Sequence, residues 1–199
     1  MSSLEQNLKT LEDDLVATPP RISAYHDLPF AIFRYNPQEE FELRKQLRLF
    51  AFGLEQNHGK RVHFISVARL VWNIVSASKE LNELFQVEKL RGFPAAQAHF
   101  HSLLSREEFR PIADEVLAAI KNLAPARDIV FLVRAGGFAP NIYSCSILLN
   151  DLHRRTMVPI AFFYPGSAQH ATDLSFYDLP TSTSGGVYNY RVKVYGVHA

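Results

Sequence analysis

The sequence predicts an α/β fold: a mainly parallel central sheet of about five strands flanked by helices in three layers, with an edge strand or hairpin at the C-terminal end. Three observations carry this. Apolar runs of strand length alternate four times with stretches of helical periodicity, the pattern of βαβ units. Residues 129–133 are apolar at five consecutive positions, as in a strand buried on both faces. Residues 190–195 instead alternate apolar and basic side chains, which suits an edge strand wet on one side.

The elements follow in order. Leu4, Leu8, Leu11 and Leu15 recur at spacings of four, three and four, a narrow apolar stripe on an amphipathic helix. Thr18-Pro19-Pro20 ends it, because proline cannot continue a helix. A stripe this narrow fits either a helix lying on its own domain or one that docks on a partner. We therefore expect one α/β domain over residues 1–199, with a helix over 1–18 and a core over 21–199.

Residues 29–35 form the first strand. Asn36-Pro37 then starts a helix, with Asn36 as cap and Leu43, Leu47, Phe50 and Leu54 on its apolar face, until Asn57-His58-Gly59 stops it. Residues 61–66 form the second strand, followed by a helix with Leu70, Val71, Ile74, Val75 and Leu81 on its apolar face, running to about Phe85. Two or three helices in all are expected before the third strand, 128–134. Ala135-Gly136-Gly137 turns the chain into a helix ending near Arg155, and residues 158–164 form the fourth strand. Leu174-Ser175-Phe176 is a candidate hairpin partner for the final strand.

Composition narrows the function. Of 199 residues, 47% are hydrophobic and 21% charged, ordinary values for a globular protein. The net charge of +1 lacks the basic excess of a dedicated nucleic-acid binder. A single cysteine, Cys145, forms no internal disulfide and suits a reducing compartment. No apolar stretch approaches the roughly 18 residues of a membrane span, and the acidic first residues do not read as a secretory leader. A cytoplasmic protein is expected.

Ligands of open α/β sheets sit at the carboxyl ends of the strands. Here that edge carries Arg34, Ser66, Arg134, Gly136, Gly137 and Tyr164, a candidate anion or ligand edge without a carboxylate to hold Mg²⁺. Phosphate-loop and dinucleotide motifs are missing. Arg134-Ala135-Gly136-Gly137 resembles a phosphate cradle, though glycines after a strand also make plain turns. His99 and His101 point apart on a helix, which argues against a metal pair. Cys145 falls on an apolar helix face and reads as a buried, inert thiol. No catalytic residue, metal or cofactor is expected. Residues 166–188, rich in small and polar side chains, read as a long loop beside the ligand edge. With the leucine stripe it supplies candidate partner contacts: Leu4, Leu8, Leu11, Leu15, Phe176 and Tyr177.

The strand-end segments DLPFAIFRY (27–35), GKRVHFIS (59–66), VFLVRAG (130–136), FFYPG (162–166) and NYRVKVYG (189–196) together resemble the BrxB family, in order and over nearly the whole chain from residue 21. That family is a small component of BREX (bacteriophage exclusion) defence systems. The resemblance implies a cytoplasmic, non-catalytic assembly subunit beside a PglZ-like phosphatase-fold protein, a BrxC-like ATPase and a PglX-like DNA methyltransferase, touching DNA only through the complex. The residues alone also leave open a nucleotide- or phosphate-handling enzyme using the Arg34 and Arg134 edge, and a direct DNA-binding subunit.

Overall fold

A computed structural model describes residues 3–22, 28–105, 112–140, 142–170, 173–177 and 192–196. The apolar runs become strands β1 (Phe30–Tyr35), β2 (Arg61–Ser66), β3 (Asp128–Val133), β4 (Ile160–His170), β5 (Asp173–Phe176) and β6 (Lys193–Tyr195). Five of them form a parallel sheet in the order β2-β3-β4-β1-β6, and β5 pairs antiparallel with the far end of β4. The α/β class expected from the alternation is therefore observed.

Among the described residues there are seven α-helices: α1 (Ser3–Val16), α2 (Glu40–His58), α3 (Val67–Ser76), α4 (Glu80–Arg91), α5 (Phe93–Leu104), α6 (Ile112–Ile120) and α7 (Cys145–Leu152). Strand side chains alternate between faces. Phe30 and Ile32 of β1, with Ile160 and Phe162 of β4, pack under α3 to α7. Ala31, Phe33 and Phe163 face the other way, toward α1 and α2. On that second face Phe33, Phe163, Phe131 and Phe64 form a row of rings across four strands, with successive centroids 5.1–5.5 Å apart. Tilted and edge-on contacts of this kind satisfy the ring quadrupoles.

Several expectations need correcting. Leu4, Leu8, Leu11 and Leu15 are buried in this second core, Leu11 to 0% exposure, so the stripe is covered by the chain itself and offers no free face to a partner. Asp14 of α1 accepts hydrogen bonds from Lys193 and from Tyr195 Oη (2.6 Å), tying the helix to β6, with Arg21 Nε at 3.3 Å. Burial alone would raise the Asp14 pKa. The Lys193 and Tyr195 hydrogen bonds and the charges of Lys193 and Arg21 outweigh it and hold the carboxyl below its ordinary range.

The expected helix through Phe85 is broken between α3 and α4. Ser78 Oγ donates to the Val75 carbonyl (2.7 Å) and accepts from the Glu80 amide (3.3 Å), ending one helix and starting the next. Among the described residues four helices, α3 to α6, thus separate β2 from β3. Residues 166–170 extend β4, and β5 pairs with β4 where pairing with the last strand was expected. The expected long loop is therefore partly a hairpin, and its residues 178–188 lie outside the described residues. Phe176 is buried against Tyr164, with ring centroids 5.1 Å apart.

Candidate functional site

Two clusters of charge occupy opposite ends of the sheet. At the amino end, parallel register places Arg61 of β2 beside Asp128 of β3. Asp128 is fully buried. It accepts from Arg61 Nε (2.7 Å) and Nη2 (2.8 Å), from His63 Nε2 (2.9 Å) and from the Ala124 amide (2.7 Å). The Arg61 hydrogen bonds, aided by His63 and Ala124, hold its carboxyl far below the usual range against the opposing effect of burial. Every acceptor direction is occupied by the fold, so this cluster is structural.

At the carboxyl end a cavity of about 250 Å³ opens between α2 and the ends of β1 to β4. Its polar lining is Tyr35, Glu40, Arg44, Arg48, Ser66 and Arg134, and its apolar wall includes Phe64 and Phe163. Helical spacing explains the α2 contribution: Glu40, Arg44 and Arg48 recur every four residues and share one side. Glu40 accepts from Arg44 Nε (2.7 Å) and from the Tyr35 hydroxyl. Burial, then the neighbouring Glu40, pushes the Tyr35 phenol far above its ordinary pKa, so it stays a donor. Glu40 therefore neutralises Arg44, whereas Arg48 and Arg134 make no side-chain ion pair among the described residues.

Arg134 sits at φ 58°, a left-handed conformation that costs a residue with a Cβ about 1–2 kcal/mol. It leads into a tight turn, Ala135–Phe138. Ser66 caps α3, its Oγ accepting from the Arg69 amide (3.3 Å), which leaves its hydroxyl proton available.

Of the residues placed on the ligand edge by sequence, Ser66 and Arg134 meet in this cavity and four do not. Arg34 lies on the opposite face of the sheet, where it donates to the carbonyls of Gly196 (Nε, 2.8 Å) and Gly166 (Nη1, 3.4 Å) and clasps the end of β6 to the middle of β4. It is also not adjacent to Arg134, because β4 separates β1 from β3. Tyr164 is buried among Phe162, Phe176 and Leu174. Gly136 and Gly137 do not line the cavity, and the Gly137 amide is taken up by the Arg134 carbonyl (3.2 Å). A Cβ on Gly136 would lie 2.6 Å from Tyr177 Oη, and one on Gly137 2.5 Å from the Ala68 Cα.

The carboxylate-free edge also needs correction. Glu40 reaches it from α2 and was not legible as part of it; Tyr35 stands at the strand end as read, and Arg44 and Arg48, which read as a solvated helix face, line the cavity instead. The four-residue repeat after a strand end was the available signal.

A second surface lies over α3, α4 and α5. Trp72 (59% exposed), Phe85 (54%) and Phe93 (61%) line a groove of about 300 Å³ floored by Val71, Val75 and Leu84. Nearby, ligand atoms of Glu80, Glu83 and His99 lie within 4.8 Å of one another across the α4–α5 pair. Glu83 is exposed, and its carboxylate lies 3.7 Å from His99 Nε2. His101 points elsewhere, its Nδ1 lying 3.2 Å from the Ile142 carbonyl. Cys145 is buried, and desolvation raises its thiol well above its ordinary pKa, as an inert thiol requires.

Fold and edge together define an α/β protein with an arginine-lined strand-end cavity and an open apolar helical face. The family model described as "BREX protein BrxB" matches residues 63–194, so the chain belongs to the BrxB family and is a BREX component. A BREX protein BrxB of Bacillus cereus (strain H3081.97) is 26% identical over 145 residues, covering 71% of this chain and 72% of that protein. No solved structure matches the chain significantly. No helix among the described residues is long and apolar enough to cross a membrane.

Proposed function

We propose that the chain is a non-catalytic assembly subunit of its BREX system, and that the α3–α4–α5 face docks the PglZ-like component. The observation that carries this reading is the cluster of Trp72, Phe85 and Phe93 around one groove, each more than half exposed. Isolated exposed apolar residues are ordinary, but aromatic side chains converging on a groove are the anchors that protein interfaces use. Family membership supports the setting, since a BREX component works among other BREX proteins. The BrxC-like ATPase and the PglX-like methyltransferase are the other partners to compare.

The test is co-purification with each of the three proteins expressed from the same defence operon. Phe85→Asp with Phe93→Asp is expected to abolish capture of the PglZ-like protein while the melting temperature stays within a few degrees. Leu8→Asp with Leu11→Asp is the contrasting variant. Those leucines are core, so this pair is expected to unfold the chain instead of selectively losing a partner. Undiminished capture by the folded Phe85/Phe93 variant would place the interface elsewhere.

A further inference from the structure

Among the described residues, the strand-end cavity is the feature that the assembly reading leaves unused. It collects three arginines against one carboxylate, and that carboxylate is engaged by Arg44 and Tyr35. Two guanidiniums, those of Arg48 and Arg134, thus sit at the exposed rim of a half-open cavity with no anion of their own among the described residues. Ser66 adds a hydroxyl donor at the same rim. The strained backbone of Arg134 strengthens the case, because glycine would suit φ 58° better and an arginine stands there instead.

The apolar side of the cavity narrows the ligand. Phe64 is 46% exposed and lines it, held edge-on by Phe131 at 5.5 Å between centroids. Positively charged donors beside a partly open aromatic wall fit a phosphate carried on a flat ring system. The location agrees, since the carboxyl ends of parallel strands are where sheets of this class receive such ligands. With Glu40 occupied by Arg44 and Tyr35, charge neutralisation falls to guanidiniums, which favours a phosphomonoester recognised without a bridging cation.

We infer that this cavity binds the phosphate and base of a nucleoside 5′-monophosphate, through Arg48, Arg134 and Ser66 on the phosphate and Phe64 on the base. The same chemistry is presented by a free mononucleotide and by the 5′-phosphorylated end of a nucleic-acid strand. This inference is independent of the docking face, which lies over α3 to α5 on the other side of the sheet.

The experiment is calorimetric titration of the purified full-length chain with AMP, adenosine, inorganic phosphate, a 5′-phosphorylated deoxy-oligonucleotide and hexaglutamate. AMP or the phosphorylated oligonucleotide is expected to bind at least tenfold more tightly than adenosine or inorganic phosphate, and the better of the two identifies the source. Arg48→Ala with Arg134→Gly is expected to weaken that binding at least tenfold without lowering the melting temperature. Arg127→Ala, an exposed arginine outside the cavity, is expected to leave it unchanged. Should the double variant melt early, Phe64→Leu, which keeps an apolar side chain and removes the ring, supplies the second reading and is expected to weaken AMP more than phosphate. Absence of AMP and oligonucleotide binding at millimolar concentration overturns the proposal. So does binding that the variants leave intact, or preferential binding of hexaglutamate, which would make the cavity a socket for an acidic peptide.

Discussion

The two ends of the sheet use arginine in opposite ways. At the amino end Arg61 meets a buried aspartate that accepts four hydrogen bonds. At the carboxyl end Arg48 and Arg134 border a cavity and lack an ion-pair partner among the described residues. The difference is one of desolvation. A carboxylate taken out of water must be fully compensated by the fold, whereas a guanidinium left at a rim keeps its water and stays available. Charge that holds the fold together is recognised by being satisfied, and charge available to a ligand by being left over.

The largest expected effect breaks the satisfied end. Asp128→Ala strands the Ala124 amide and leaves Arg61 and His63 without their acceptor. A loss of about 2–3 kcal/mol is expected, less than for a fully buried pair because Arg61 is half exposed and regains water. The midpoint of urea unfolding measures it, and a loss under 0.5 kcal/mol would make the network dispensable.

Acid should expose the same asymmetry. Asp128 and Asp14 both have pKa values lowered by folding. Their contribution is complete above the unfolded carboxylate pKa of about 3.9 and is lost as pH falls through the lower folded values. The urea midpoint is therefore expected to drop as pH is lowered below about 4, and to drop less steeply in Asp128→Asn. An equally steep fall in that variant would assign the acid sensitivity to other groups.

The smallest effects sharpen the comparison within the carboxyl end itself. Arg34→Ala removes the clasp on the Gly196 and Gly166 carbonyls and is expected to cost about 1 kcal/mol. Arg134→Gly removes a charge but relieves a left-handed residue, so its stability is expected to stay within about 0.5 kcal/mol of wild type or rise. Thermal melts of the two variants side by side would refute the division if Arg134→Gly proved the more damaging.

Much of this was legible in the amino-acid order because local chemistry decides it. Period-two and helical patterns placed the strands and most helices, and proline and glycine marked the ends of α1 and α2. Asn36 was recognisable as a cap, and its side chain does accept from the Gln38 amide (3.0 Å). The BrxB family could be recognised from the strand-end segments. The leucine stripe of α1 was equally visible, yet a stripe is only an apolar face. Whether β6 and α2 or another protein covers it is not encoded in its spacing.

Strand order was decided by the tertiary structure alone. Arg34 and Arg134 both follow apolar runs and looked equivalent in sequence. The β2-β3-β4-β1-β6 order sets β4 between their strands, and alternation along β1 puts Arg34 on the Phe30 and Ile32 face, away from the cavity, where backbone carbonyls hold it. The same arrangement carries α2 across the strand ends, so that Glu40, Arg44 and Arg48 join Ser66 and Arg134, residues up to 94 positions away. Periodicity says which way a side chain faces its own strand's neighbours. It is silent on which strands those neighbours are, because that choice is made by the crossovers and by burial summed over the whole sheet.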